Sequence, residues 1–182
     1  PWTYMTKAEK KLPAFVRPKR WFPKSQYKFA KKQKVFGFTA SSGKMLAFLV
    51  PSPWSTQKWA RLVKTQLAPF LKAAFPNRRE FQLLLDGEKV LHGPAAKTAF
   101  REHKITVLPS WPKYSPDLNP QEHVWTIAEK ALRLKEQDDD SFDEWKKRLV
   151  PAVKAYPSPE KLIPSMAKRC AQVIARSGAM TD

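Results

Sequence analysis

Two carboxylates and one imidazole stand where chemistry could be done. Asp86 closes a short apolar run, Phe81-Gln82-Leu83-Leu84-Leu85. A carboxylate just past a buried strand, in a chain rich in cations, is placed to ligate a hard metal ion. Strand-to-loop turns also favour Asp for purely conformational reasons. Glu122 follows Asn119 by three residues, in Asn119-Pro120-Gln121-Glu122. That order puts Asn at the N-cap, Pro in the first turn and Glu at the third helical position, which is a capping box. Glu122 could then serve only a backbone N–H. The two roles coexist, because a helix N-terminus favours the ionised carboxylate that a metal requires. His92 lies six residues beyond Asp86, within reach of the same site or acting only as a loop or cap residue.

The elements that would carry these residues read as follows. Val35–Ala40 and Met45–Val50 are β-prone runs joined by a short turn containing Gly43, so they predict a hairpin. Residues 55–75 carry Trp59, Leu62, Val63, Leu67, Phe70, Leu71 and Ala74 at helical spacing. Ser55 fits the N-cap of that helix, and Pro69 should kink or split it. The run ending at Asp86 reads as a strand covered on both faces. A helix over Pro94–His103 and a strand over Ile105–Leu108 follow. Another helix is expected from Pro120 to about Lys135, then two more over roughly 141–155 and 158–177. Between them, Tyr114-Ser115-Pro116-Asp117-Leu118-Asn119-Pro120 is a rigid connection, with two prolines fixing φ. Strands alternating with helices imply an α/β sheet with parallel neighbours.

The charge names a class of partner. Lys and Arg total 34 against 16 acids, a formal net charge of +18. Such a surplus fits a polyanion, with nucleic acid the default and ribosomal, membrane-surface and heparin-type partners open on charge alone. Residues 1–33 form a basic, proline-punctuated arm with Trp21, Phe22, Tyr27 and Phe29 interleaved. Lys19, Arg20, Lys24, Lys28, Lys31 and Lys32 are its candidate nucleic-acid contacts. Residues 34–182 are expected to form one domain. Cys170 is the single cysteine, so neither an internal disulfide nor a cysteine-based zinc site is open to the chain. The longest apolar run, Met45–Val50, stops at Pro51, far short of a membrane span. An intracellular setting is expected, in the nucleus if the host is a eukaryote and in the cytoplasm otherwise.

Leu108–Trp125 (LPSWPKYSPDLNPQEHVW) resembles the segment around the third catalytic acid of the Tc/mariner superfamily of DDE/D transposases. Leu83–Gly93 (LLLDGEKVLHG) resembles the second-acid segment. Lys34–Val50 is similar to the second and third strands of that family, and Ile163–Asp182 to its ending. The resemblance implies an RNase H-like mixed sheet flanked by helices, with the first strand absent or incomplete in this chain. It implies Asp86 and Glu122 as catalytic metal ligands, with 35 residues between them, and His92 as a site neighbour. It implies two Mg²⁺ or Mn²⁺ ions, held by three acids, that activate water or a DNA 3′-OH for in-line attack on a phosphodiester. The implied partners are transposon-end and target DNA, and a homodimer is compatible with the family.

The first acid of such a set belongs on a strand ahead of the hairpin. Only Glu9 and Glu80 precede Asp86. Glu80 sits just before the strand of Asp86, and Glu9 lies in a basic polar segment. The first Asp is therefore expected upstream of Pro1, and the 182-residue polypeptide is expected to cleave DNA poorly or not at all. No helix-turn-helix module is visible, so DNA binding should be salt-sensitive and largely sequence-independent. The alternative function is a domesticated DNA-binding derivative that keeps the fold without cleavage. A basic RNA-binding or ribosomal protein is a third reading, with no role for Asp86 or Glu122.

Overall fold

The computed structural model describes residues 2–3, 32–108, 118–134 and 141–178. The arm residues Lys19, Arg20, Lys24, Lys28 and Lys31, and the connection Tyr114–Asp117, lie outside them. Lys32 is described and exposed.

A hairpin occupies the middle of the molecule. β1 (Trp2–Thr3) pairs antiparallel with β2 (Lys32–Gln33), and β3 (Val35–Thr39) pairs antiparallel with β4 (Met45–Leu49). The turn closes through Gly43, whose φ of 81° suits glycine, and its N–H reaches Ala40 O at 2.9 Å. The period of two along β3 gives the hairpin two different faces. Phe36 and Phe38 lie on one, with Leu46 and Phe48 opposite them; Val35 and Gly37 lie on the other, with Leu49 and Ala47 opposite.

The first face meets a helix broken into three pieces. α1 (Thr56–Leu62) runs into a π-helical stretch, Val63–Leu67, and then into α2 (Ala68–Ala74). Ser55 caps α1, its hydroxyl accepting the Lys58 N–H at 3.3 Å. The expected disruption at Pro69 takes the form of that π stretch. Proline has no N–H to give the helical ladder, so the turn before it is widened. Trp59, Val63 and Leu67 have no exposed surface. Each such side chain contributes about 1.5–3 kcal/mol through burial.

β5 (Phe81–Leu83) and β6 (Ile105–Val107) pair in parallel, linked by α3 (Pro94–Glu102). Phe81, Leu83, Leu85, Ile105, Ala96, Ala99 and Phe100 complete the core around Trp59. One expectation is corrected here. β5 is buried on one face only: Gln82 is exposed and Leu84 is 38% exposed. The second helical layer packs on the hairpin instead of on β5.

That second layer consists of α4 (Pro120–Leu134) and α5 (Phe142–Lys154). Val124, Ala128, Leu132, Trp145, Leu149 and Val153 bury themselves against Val35 and Ala47. α5 starts with a full capping box between Ser141 and Glu144. The final helix is also shorter than its periodicity predicts. A 3₁₀ turn, Pro159–Lys161, precedes α6 (Ser165–Ala175), because Pro159 and Pro164 interrupt the regular ladder. The result is a mixed α/β arrangement: an antiparallel hairpin between two helical layers and a parallel pair beside it.

Candidate active site

Asp86 lies three residues beyond the end of β5, where parallel strands present their carboxyl ends. Its side chain is exposed, and Oδ1 accepts the Gly87 N–H at 2.7 Å, which leaves Oδ2 open to a ligand. His92 closes the loop from the other side, with Nε2 2.8 Å from the Asp86 carbonyl oxygen. A carbonyl only accepts, so Nε2 carries the proton in this arrangement. His92 is thus a neighbour of Asp86 through the backbone. Its position at the end of a 3₁₀ turn, Lys89–His92, is set by Leu91, which is 1% exposed and whose carbonyl accepts the Trp59 indole N–H at 3.3 Å.

Glu88 fastens the same loop to the hairpin. Both of its carboxylate oxygens lie 2.5 Å from Lys34 Nζ. Lys34 precedes β3, and its carbonyl takes the Val50 N–H at 2.9 Å.

Glu122 is half-buried in the first turn of α4. Asn119 caps this helix, with Oδ1 accepting the Gln121 N–H at 3.0 Å and its carbonyl accepting the Glu122 N–H at 3.1 Å. The return bond of a capping box, from the Asn119 N–H to the Glu122 carboxylate, is absent among the described residues. Glu122 therefore keeps its oxygens free of that bond: Asn119 caps the helix, and the backbone role expected of the Glu122 carboxylate is not realised. His123, the next residue, is held below the usual imidazole range by partial burial and by the nearby Arg169 charge.

α4 is seated on β3 by the residue before Glu122. The Thr39 hydroxyl donates to Gln121 Oε1 at 3.1 Å. Gly37 leaves the space this needs: a Cβ there would lie 2.6 Å from Gln121 Nε2 and 2.7 Å from the Trp125 ring. The two acidic segments are thus tied to the hairpin, one at Lys34 just before β3 and the other at Gly37 and Thr39 within it. Among the described residues no three His, Cys, Asp or Glu side chains are grouped to hold a metal ion by themselves. Lys34, Gly37 and Gln121 are residues that spacing alone did not single out. Only the glycine inside a β-prone run carried a signal, as a site of close backbone approach.

The model of the DDE superfamily endonuclease family matches residues 8–143. This chain belongs to that family. The match spans Asp86 and Glu122 together. The Tc3 transposase of Caenorhabditis elegans is 24% identical over 146 residues, which cover 79% of this chain and 44% of that protein. The Tc1 transposase of the same worm is 42% identical over 86 residues, covering 45% of this chain and 30% of that protein. The chain thus spans less than half the length of these relatives. The catalytic domain of Mos1 mariner transposase superposes with a TM-score of 0.66 at 22% identity, over 84% of this chain and 77% of that domain. That likeness is one of fold, and it makes the domain RNase H-like, as the family resemblance implies. The Mos1 domain is also known with Mn and with Mg. Mos1 in its paired-end complex with the left transposon end covers 94% of this chain, with a TM-score of 0.67.

Proposed function

We propose that this chain is the catalytic core of a mariner-type DDE transposase, with Asp86 and Glu122 as metal-ligating acids. The observation that carries the reading is the attachment of both acidic segments to the hairpin, through Lys34 just before β3 and through Gly37 and Thr39 within it, with Asp86 beyond the carboxyl end of a parallel strand and Glu122 at a helix start. The match to an endonuclease family, with the likeness to transposases among relatives and solved structures, favours this reading over a derivative that binds DNA without cutting it.

The donor set fits a hard divalent cation. Asp86 offers an exposed carboxylate and Glu122 a half-buried one, both oxygen donors of the kind Mg²⁺ and Mn²⁺ take. Two such ions supply activation of the attacking oxygen and stabilisation of the leaving one. The chain contributes the rest. His92 holds the Asp86 carbonyl, so the carboxylate leaves the backbone in one direction. Asn119 caps α4, the helix whose first turn carries Glu122. Lys19, Arg20, Lys24, Lys28, Lys31 and Lys32 give the arm the charge to track a DNA backbone. The Mos1 complex with a transposon end supports DNA as the partner.

Nicking of supercoiled plasmid in Mn²⁺ tests the assignment. Slow, metal-dependent nicking that Asp86→Ala and Glu122→Ala each remove supports it. Nicking that neither substitution changes overturns it. Robust nicking removed by Asp86→Ala would show that residues within these 182 complete the acid set.

A further inference from the structure

Lys34 is held in an unusual way for a surface lysine. Its backbone is locked to the end of β4: the carbonyl accepts the Val50 N–H at 2.9 Å and the Gln33 side-chain amide at 2.9 Å. Its ammonium lies 5.7 Å from the centre of the Phe36 ring and 5.8 Å from that of Trp54. Those rings are themselves anchored. Phe36 stacks on Trp59 at 5.2 Å, and Trp59 has no exposed surface. The aromatic platform restricts where the ammonium can go and adds cation–π attraction to the ion pair.

From that platform the ammonium grips both oxygens of Glu88, two residues after Asp86. The Glu88 carbonyl accepts the Leu91 N–H at 2.9 Å, opening the 3₁₀ turn that places His92 on the Asp86 carbonyl. The loop from Asp86 to His92 therefore has two anchors. One is buried, through Leu91 and Trp59; the other is the Lys34–Glu88 pair. Side chains 38% and 33% exposed form a pair that adds little to global stability. Its effect is local, on the direction of one loop.

We infer that Lys34 is a positioning residue for the metal site at Asp86, acting through Glu88. This rests on the assignment of Asp86 as a ligand. Partners that orient a ligand without touching the metal are typically worth 10–100-fold in metal affinity. The sign of the effect separates positioning from plain charge. Removing a cation near a metal site should tighten cation binding if only Coulomb forces act. Loss of positioning weakens it.

The experiment is a Mn²⁺ titration of the 182-residue chain, followed by electron paramagnetic resonance of the free ion. The variants are Lys34→Met, Lys34→Arg and Asp86→Asn, with a thermal melt for each. Lys34→Met should weaken Mn²⁺ binding by about tenfold, with a melting point close to that of the unsubstituted chain. Lys34→Arg should restore most of the affinity, since it keeps the charge over the rings. Unchanged or tighter binding in Lys34→Met, with Asp86→Asn still weakening it, overturns the positioning role and leaves the ligand assignment standing. Binding indifferent to Asp86→Asn overturns both.

Discussion

Trp125 lies so close against Gly37 that a methyl group on that glycine would meet its ring at 2.7 Å. The glycine is therefore what lets α4 settle on β3, and α4 carries Glu122. Gly37→Ala should cost about 1–3 kcal/mol, the usual penalty of overpacking a close contact. Urea unfolding measures it. Trp125→Leu in the same chain should return part of the loss, because it removes the ring that the methyl strikes. A Gly37→Ala variant as stable as the unsubstituted chain would show that α4 is not seated this way.

Trp59 joins both parts of the site's support. It underlies Phe36, the ring beneath Lys34, and donates to the Leu91 carbonyl in the loop after Asp86. Trp59→Ala should destabilise the fold by about 3–5 kcal/mol through the cavity it leaves. Chemical denaturation followed by circular dichroism would register this as a lower midpoint. A loss below about 0.5 kcal/mol, the ordinary surface range, would contradict the packing described.

Glu102 ends α3 and pairs with Lys64 at 2.6 Å. The hydrogen bond from Lys64 holds its carboxyl below the usual glutamate range. A depressed carboxylate stabilises the fold above its unfolded pKa, and the contribution is lost as pH falls through the folded value. Both side chains are 48% exposed, so the effect on stability is small. Carbon-detected NMR titration of Glu102 should therefore show a low midpoint that rises in Lys64→Met. An identical midpoint in the two proteins would refute the pairing.

Under the proposed function, the surplus of +18 should make DNA binding an ionic process. The logarithm of the binding constant should fall linearly with the logarithm of salt, with a slope of about −0.9 per phosphate neutralised. Replacing Lys28 or Lys31 with Ala should lower the magnitude of that slope by roughly one each if the arm follows the backbone. Fluorescence anisotropy across a salt series reads both. Affinity unmoved by salt would rule out this mode.

Much of this architecture was legible in the chain because it depends on local pattern. The hairpin, Ser55, the disruption at Pro69 and the start of α4 at Pro120 follow from periodicity, caps and prolines. The motif ending in Glu122, and Asp86 with 35 residues between the two, carried the family. What was not legible depends on partners distant in sequence. Nothing near Lys34 announces Glu88, 54 residues away, and nothing near Gly37 announces Gln121 or Trp125. The apolar run before Asp86 suggested burial on both faces. Whether a second layer covers a strand depends on where later helices pack, and α4 and α5 pack on the hairpin.

The central claim is that Asp86 and Glu122 serve one metal site. Iron-mediated cleavage of the polypeptide tests it most directly: Fe²⁺ with ascorbate and peroxide takes the place of Mg²⁺ and cuts the backbone where it binds. The account predicts cuts in two segments, around Asp86 and around Glu122, both suppressed by excess Mg²⁺ and both lost together in Asp86→Asn. Cuts at only one segment, or cuts near Glu122 that persist in Asp86→Asn, would contradict it.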